Sequence, residues 1–243
     1  MPTTFTTEEV QRWAEKFENQ PAEALLTWAL ERFHPRIALA TSLQTEDMVA
    51  LDIAWRIQPQ LRVFTLDTGR LHQETYDMMD RLRDRYSLSL DILFPDAAEV
   101  QAMVRAKGLN LFYESVENRH ECCGVRKVNP LRKYLAGMDA WVTGLRRDQW
   151  ASRTTIQKVE LDAGSGGILK LNPIADWSQE RLDAYVQEHS LPQHALYSQG
   201  FTSIGCLPCT RPTKPGENPR AGRWWWEQDL QKECGLHVAA KTS

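Results

Sequence analysis

The chain has 243 residues, of which 42% are hydrophobic and 25% are charged, and its formal net charge at pH 7 is −3. These values are ordinary for a globular protein and exclude a disordered, collagenous or coiled-coil chain. No apolar run approaches the roughly 18 residues that a membrane-spanning helix needs, and the N-terminal residues lack a basic or apolar signal segment. Five cysteines in such a chain favour a reducing compartment, so we expect a cytoplasmic protein whose thiols bind metal or take part in catalysis.

Short β-rich runs alternate with longer helical patterns over the first part of the chain. We predict, in order, helices over residues 7–18 and 22–33, a strand over 37–42, a helix over 46–57, a strand over 61–66, a helix over 71–86, a strand over 88–94, a helix over 97–107 and a strand over 140–143. This alternation indicates βαβ units, and therefore a parallel sheet with helices on both faces. Ligands of such sheets bind beyond the carboxyl ends of the strands, so residues 41–44, 67–70 and 144–147 are candidate contacts.

The second part of the chain is less regular. A hairpin over residues 156–171 and a helix from a Ser178 cap to about residue 188 are predicted there. Proline and glycine are frequent from residue 210 onward. We therefore interpret residues 211–243 as a mobile C-terminal segment attached to an α/β domain over residues 1–210.

Basic residues are concentrated beside the cysteines, although the whole chain is mildly acidic. Residues 119–133 contain five lysines and arginines against Glu121 alone, and residues 211–223 contain four against Glu217 alone. Basic segments beside thiols in such a chain favour a small anionic ligand over a nucleic acid.

Four of the five cysteines fall into two pairs. Cys122 and Cys123 are adjacent, Cys206 and Cys209 are separated by two residues, and Cys234 stands alone near the C-terminus. This spacing leaves two dithiols or a structural zinc site open. Adjacent cysteines fit one tetrahedral ion poorly because their side chains diverge, whereas a [4Fe–4S] cluster offers separate irons to four cysteines. The spacing therefore favours a [4Fe–4S] cluster without deciding the metal.

Several short segments carry a specific combination of motifs. They are Cys-Cys-Gly-Val-Arg-Lys-Val-Asn-Pro-Leu at 122–131, Gly-Cys-Leu-Pro-Cys-Thr-Arg at 205–211, Glu-Cys-Gly-Leu-His at 233–237, and residues 66–69, 143–147 and 203–206. Together they resemble the thioredoxin-dependent adenylyl-sulfate reductases, from about residue 38 to residue 237. The related phosphoadenylyl-sulfate reductases share the nucleotide-binding fold and the C-terminal motif but lack the two cysteine pairs.

The resemblance implies a fold of the adenine-nucleotide α-hydrolase kind, a Rossmann-like parallel sheet with helices on both faces. It implies a [4Fe–4S] cluster on Cys122, Cys123, Cys206 and Cys209 and a catalytic nucleophile at Cys234. The implied substrate is adenosine 5′-phosphosulfate, which is reduced to sulfite and AMP in sulfate assimilation. Cys234 would carry a thiosulfonate intermediate, and thioredoxin or a similar dithiol donor would release sulfite from it.

The resemblance also implies a set of substrate-binding residues. Four are basic residues near the thiols, whose positive charge suits a phosphosulfate; they are Lys127, Arg220, Arg223 and His237. The others lie at or after the ends of predicted strands; they are Ser42, Leu66, Gly69, Gly144 and Arg146. From the residues alone, Ser42 could instead cap a helix, and Leu66 and Gly69 could simply end a strand.

Three alternatives remain open. A phosphoadenylyl-sulfate reductase would need basic residues for an additional 3′-phosphate, and the cysteine pairs argue against it. An iron–sulfur RNA-thiolating enzyme of the same fold would need a glycine-rich ATP loop, but residues 41–46 read Thr-Ser-Leu-Gln-Thr-Glu in place of Ser-Gly-Gly-x-Asp-Ser. A zinc-binding or redox-sensing module without catalysis would not depend on Cys234. The oligomeric state is also open, with a homo-oligomer as one alternative.

Overall fold

One sheet of six strands lies at the centre of the structure, a computed structural model that describes residues 3–149 and 153–227. The strands are β1 (Ile37–Ala40), β2 (Arg62–Leu66), β3 (Leu90–Leu93), β4 (Ala140–Val142), β5 (Val159–Asp162) and β6 (Ile168–Leu171). Their spatial order is β3-β2-β1-β4-β6-β5, and every neighbouring pair is parallel except β5 with β6. The predicted α/β fold with a parallel sheet is confirmed, and the predicted hairpin is its antiparallel edge.

Eight α-helices occur in the described part of the chain. They are α1 (Thr7–Glu18), α2 (Ala22–Phe33), α3 (Thr45–Ile57), α4 (Gln73–Tyr86), α5 (Ala97–Lys107), α6 (Val116–Cys123), α7 (Asn129–Leu135) and α8 (Gln179–Glu188). Polar side chains cap the start of four of them, α1, α5, α6 and α8. Thr6 and Glu9 form a capping box at α1, and the Ser178 hydroxyl accepts from the backbone N–H of Arg181 at α8. The start of α8 is where the sequence predicts it.

Alternate residues of the central strands pack on opposite faces of the sheet. Ile37 and Leu39 of β1 belong to the apolar cluster that includes the buried residues of α2 and α3. Ala38 between them belongs to a second cluster, with Leu131 and Leu135 of α7. This alternation is the two-residue period of a strand, so both faces of β1 are covered by helices, as the sequence predicts.

Helices α6 and α7 are not among the predicted elements. They are joined by a π-helical turn, Gly124–Val128, so that the chain stays helical from Val116 to Leu135. The buried residues of α6 are Arg119, Cys122 and Cys123. A buried face made of an arginine and two cysteines gives no apolar stripe, and hydrophobic periodicity therefore does not detect this helix.

Residues 211–227 pack against the α/β body. The backbone N–H of Thr213 donates to Gly200 O at 3.0 Å, and that of Trp224 donates to Cys209 O at 3.1 Å. The Trp224 side chain is buried beside the thiols and so anchors this segment. The division at residue 210 stays a prediction. No helix within residues 3–149 and 153–227 is long and apolar enough to cross a membrane.

Candidate active site

A cavity of about 710 Å³ lies beyond the carboxyl ends of β1, β2 and β4. This volume lies in the range of small-molecule sites. The predicted substrate-binding residues in its wall are Ser42, Leu66, Lys127, Gly144, Arg146, Arg220 and Arg223. Gly69 is not in the wall. Cys234 and His237 lie outside the described residues, so the roles predicted for them remain predictions.

Gly69 closes the turn that follows β2. Its φ of +70° lies in the left-handed region that glycine adopts without strain, and its backbone N–H donates to Asp67 Oδ1 at 2.7 Å. Arg126 packs against the same turn, since its Nη1 donates to Thr68 O at 2.6 Å. The structure thus gives Gly69 a conformational role, and its substrate contact stays a prediction.

One half-buried carboxylate, that of Asp47, ties the loop after β1 to the loop after β4. The Ser42 N–H donates to Asp47 Oδ2 at 2.7 Å, the Ser42 hydroxyl donates to the same oxygen, and the Gly144 N–H donates to Asp47 Oδ1 at 2.9 Å. Burial raises the pKa of Asp47, and these hydrogen bonds oppose that shift. We call Ser42, Asp47 and Gly144 the strand-end wall.

The close approach at the strand-end wall requires a glycine at position 144. A Cβ atom there would lie 2.6 Å from backbone atoms of Glu46 and Asp47, closer than real Cβ contacts. On the other loop, Leu43 has a φ of 63°, which is left-handed backbone for a side chain that rarely adopts it. The loop after β1 therefore makes a glycine-like turn without a glycine.

Arg146 lines the cavity, but its guanidinium group is also hydrogen-bonded to other residues of the protein. It is 2% exposed. Its Nη1 donates to Trp177 O at 3.0 Å, and its Nη2 donates to Gln179 Oε1 at 2.6 Å and lies 3.3 Å from Glu46 Oε1. These contacts fix the loop after β4, and they engage much of the donor capacity of the guanidinium group.

The four paired cysteines line one small pocket beside the main cavity. Cys122 and Cys123 end α6, and Cys206 and Cys209 flank the short turn Leu207–Cys209. All four are buried free thiols that line a pocket of about 20 Å³ with Phe112 and Trp224. We call this space the thiol pocket. The adjacent cysteines both reach it, although their side chains were expected to diverge.

No group of three or more His, Cys, Asp or Glu side chains that could hold a metal ion is found in residues 3–149 and 153–227. The four sulfurs therefore share a pocket without converging on a single ion. The ligands of a [4Fe–4S] cluster each bind a separate iron, so they lie farther apart than the ligands of one ion. The cluster stays a prediction.

Several cationic side chains line the thiol pocket; they are Arg70, Arg119, Arg126, Lys127 and Arg223. Burial by itself would raise the pKa of Cys206, but the Lys127 charge, a hydrogen bond with Thr68 and the Arg223 charge outweigh it, so the pKa is lowered. The Thr68 Oγ1 to Cys206 Sγ distance is 3.2 Å. Burial, with the neighbouring Cys206, raises the pKa of Cys209 to about 12. Cys206 is thus the thiol that the cations favour as a thiolate.

Lys127 and Arg223 line both the main cavity and the thiol pocket. We call these two residues the thiol wall. Lys127 lies in the π-helical turn, a feature often found at functional sites. Arg223 donates from Nη1 to Ser203 Oγ at 3.2 Å and to Ile204 O at 3.1 Å. An anion in the main cavity would meet two cations that also face the thiols.

Arg223 can lie against its neighbours only because residue 205 is a glycine. A Cβ atom at Gly205 would lie 2.7 Å from Arg223 Cζ. The other face of the guanidinium group lies over the Trp224 ring, with Cζ 4.7 Å from the ring centroid. The side chain is therefore fixed in place before any ligand binds, which lowers the entropy cost of binding.

Gln44 and Thr68 belong to the segments 41–44 and 67–70 that were predicted as candidate contacts, and both line the main cavity. Asp47 also lines the cavity but is not among the predicted residues. Asp47 lies in the first turn of α3. An acid there is typical of helix starts, and its contact with Gly144 could not be read from the sequence.

The fold and site together define an α/β protein that binds an anionic, nucleotide-sized ligand beside a set of buried thiols. A family model described as the phosphoadenosine phosphosulfate reductase domain matches residues 36–212. The chain belongs to this family.

Several curated relatives named adenosine 5′-phosphosulfate reductase cover most of the chain, and three of them serve as examples. The protein from Neisseria meningitidis strain MC58 is 49% identical over 205 residues, which are 84% of this chain and 83% of the relative. That from Burkholderia cepacia is 45% identical over 220 residues, covering 90% and 87%. That from Pseudomonas aeruginosa strain UCBPP-PA14 is 40% identical over 230 residues, covering 93% and 85%. The predicted family resemblance is confirmed.

Solved structures show the same fold at lower identity. A phosphoadenylyl-sulfate reductase from Candida auris, in a phosphate complex, has a TM-score of 0.75 and 23% identity, covering 87% of this chain and 100% of that one. An FMN adenylyltransferase from Candida glabrata has a TM-score of 0.57 and 16% identity, covering 97% and 80%. These likenesses confirm the predicted Rossmann-like, nucleotide-binding type of fold.

Proposed function

We propose that this chain is an adenosine 5′-phosphosulfate reductase, an oxidoreductase that forms sulfite and AMP in sulfate assimilation. The observation that carries the proposal is that Lys127 and Arg223 line both the main cavity and the thiol pocket. Relatives with this name are 40–49% identical over at least 84% of the chain, which supports the same substrate.

Lys127, Arg220 and Arg223 would bind the phosphosulfate group, because all three line the main cavity. Arginine matches the planar oxygen faces of phosphate and sulfate, and lysine acts as a compact point charge. The adenosine would extend along the ends of the strands, past Leu66 and Ser42. The charge that develops on the leaving AMP would be stabilised by the same cations.

Cys122, Cys123, Cys206 and Cys209 would hold a [4Fe–4S] cluster. The residues present fit this group, because four buried free thiols line one pocket together with Arg126 and Lys127, whose charges offset those of thiolates. When bound, the cluster would supply a fixed, buried charge distribution beside the phosphosulfate. We assign it a structural and electrostatic role, since a two-electron attack on sulfur needs no one-electron carrier.

The reaction would begin with the Cys234 thiolate, a soft nucleophile suited to sulfur. It attacks the sulfur of the substrate, an S–S bond forms, and the S–O bond breaks with its electron pair leaving on AMP. The product is a thiosulfonate on Cys234. A thiolate of reduced thioredoxin or a similar dithiol donor then attacks the Cys234 sulfur, and sulfite leaves with the bonding pair. The second thiol of the donor closes its disulfide and releases the Cys234 thiolate.

The proposed setting is the cytoplasm, where thiol pools keep such cysteines reduced. The experiment uses the full chain purified without oxygen, with labelled adenosine 5′-phosphosulfate and reduced thioredoxin. We expect equal amounts of sulfite and AMP, visible absorbance, and about four iron and four sulfide per chain. Stoichiometric zinc without iron would contradict the cluster, and failure to release sulfite would contradict the reductase.

A further inference from the structure

A directed chain of hydrogen bonds runs along the wall of the main cavity. The backbone N–H of Ile204 donates to Gln44 Oε1 at 2.7 Å, and Gln44 Nε2 donates to Ser42 Oγ at 3.1 Å. The Ser42 hydroxyl then donates to Asp47 Oδ2. The direction is fixed because a backbone N–H can only donate, which turns the amide oxygen of Gln44 towards Ile204 and its amide nitrogen towards Ser42.

The two ends of this chain reach both walls of the cavity. At one end, Asp47 Oδ1 accepts from the Gly144 N–H of the strand-end wall at 2.9 Å. At the other end, the carbonyl of Ile204 accepts from Arg223 Nη1 of the thiol wall at 3.1 Å. All six residues line the main cavity; they are Ser42, Gln44, Asp47, Gly144, Ile204 and Arg223. Three chain segments that are distant in sequence are thereby joined around one ligand space.

Asp47 is the acceptor on which the chain depends. Its two oxygens accept from three donors, namely the Ser42 N–H, the Ser42 hydroxyl and the Gly144 N–H. A carboxylate can accept at both oxygens, whereas an asparagine offers one oxygen and turns two N–H donors towards its other neighbour. An asparagine at this position would leave at least one of these three donors without its acceptor, which weakens the link between the loop after β1 and the loop after β4.

We propose that Gln44 and Asp47 are positioning residues that hold Ser42, Gly144 and Arg223 in the arrangement that binds the substrate. The inference rests on the proposed function, because the substrate is the one proposed there. Neither side chain is assigned a step in the reaction. Both side chains act only by holding these other residues in place. Replacing either one should therefore change KM and the Kd for AMP more than it changes kcat.

Asp52 provides a matched control on the same helix. It is a buried carboxylate of α3 that accepts from Arg56 Nε at 2.7 Å, Tyr86 Oη at 2.9 Å and Tyr185 Oη at 2.8 Å. It does not line the main cavity. Asp52→Asn therefore removes a comparable set of buried hydrogen bonds without touching the ligand space.

The experiment compares Asp47→Asn, Gln44→Met, the double variant and Asp52→Asn in the full chain. For each we would measure the melting temperature, KM and kcat with adenosine 5′-phosphosulfate, and calorimetric binding of AMP. We expect Asp47→Asn to raise KM and the Kd for AMP about tenfold or more, with kcat within about threefold of the wild type. Asp52→Asn should lower the melting temperature and leave KM and the Kd unchanged.

The energetic coupling between Gln44 and Asp47 gives a second test of the hydrogen-bond chain. Because Gln44 and Asp47 act through Ser42, the double variant should raise the Kd for AMP by less than the product of the two single fold-changes. If the Kd for AMP rises in the double variant by the product of the two single fold-changes, the two residues do not act through one connected chain of hydrogen bonds. An unchanged KM in Asp47→Asn, or an equal rise in Asp47→Asn and Asp52→Asn, would overturn the positioning role. A wild-type protein that neither binds AMP nor turns over the substrate would overturn the proposed function instead.

Discussion

The two walls of the main cavity are built by different means. In the strand-end wall, one carboxylate, Asp47, holds Ser42 and Gly144 through hydrogen bonds, so most of the local polar groups satisfy one another. In the thiol wall, Lys127 and Arg223 bring two positive charges to the boundary with four thiols. The first wall fixes shape and the second supplies charge. Arg146, Arg153 and Arg220 also line the cavity, so what distinguishes the thiol wall is that its two cations face the thiols as well.

The prediction with the largest expected effect removes the proposed nucleophile, Cys234, which is not one of the residues that define either wall. Cys234→Ser should abolish turnover, because a hydroxyl does not replace a thiolate in attack on sulfur, while AMP binding should persist. Incubating the wild type with ³⁵S-labelled substrate and no reductant should label Cys234, and thioredoxin should release the label as sulfite. Label on another residue, or substantial activity in the serine variant, would refute the assignment.

The choice between two nucleotides sharpens the comparison. A 3′-phosphate adds about two negative charges. Arg146 near the strand-end wall is already bonded to Trp177 and Gln179, so it is not available to compensate them fully. We expect kcat/KM for adenosine 5′-phosphosulfate to exceed that for the 3′-phosphorylated form by at least about a hundredfold. Competition between the two nucleotides, with reduced thioredoxin, measures this ratio. An equal or reversed preference would mean that the cavity near the strand-end wall binds the negative charge of a 3′-phosphate.

Removing one cation tests the thiol wall directly. Lys127→Ala should lower kcat/KM about 10- to 100-fold, the loss of one charge-assisted contact to the reacting group. Lys133→Ala is the matched control, because Lys133 is exposed on α7, and it should leave kcat/KM unchanged. Steady-state kinetics would measure the effect of the lost contact. Visible absorbance would show whether the variant keeps the proposed cluster in the thiol pocket. Equal kinetics in the two variants would contradict the assignment of charge to this wall.

Acid should destabilise the packing around the buried His194, with the smallest effect of the four predictions. The buried ring of His194 has a pKa lowered to about 4 by burial, and its Nδ1 accepts from the Leu196 N–H at 3.3 Å. The pKa lies below the ordinary 6.5, so stability is complete above pH 6.5 and is lost as the pH falls towards 4. This ring should contribute a loss of about 2 kcal/mol in unfolding free energy between pH 7 and pH 5.

Urea titrations of the wild type and His194→Gln at the two pH values would measure that loss. Glutamine does not titrate, so the variant should show a shallower fall in unfolding free energy, and the difference between the two proteins isolates the histidine. Parallel pH profiles in the two proteins would show that His194 stays neutral throughout.

The sequence predicts the strand-end side of the molecule better than the thiol side. The strands β1, β2 and β4 carry apolar runs, and residues from each of the three segments that follow them line the cavity, although Gly69 does not. Periodicity works there because the strands are buried among aliphatic residues. By contrast, α6 buries Arg119 and two cysteines, so its buried face is chemically irregular and no pattern of apolar residues marks it.

The other features that could not be predicted from the sequence are contacts between residues far apart along the chain. Asp47 and Gly144 are 97 residues apart, and their pairing depends on β1 and β4 being neighbours in the sheet. Arg146 was expected to bind substrate, but its bonds to Trp177 and Gln179 depend on the position of α8. Spacing along a chain carries no information about such pairings until the order of the strands is known.

The π-helical turn between α6 and α7 rotates the second half of one continuous helix about its axis relative to the first half. An α-helix turns about 100° per residue, so the extra residue of a π turn rotates everything after it by about that angle. Before the turn, Cys122 and Cys123 face the thiol pocket; after it, Leu131 and Leu135 face the sheet. Deleting a single residue at Gly124 would restore a regular helix and misdirect one of these two faces. The length of this segment should therefore be as strictly constrained as the identity of Lys127 within it.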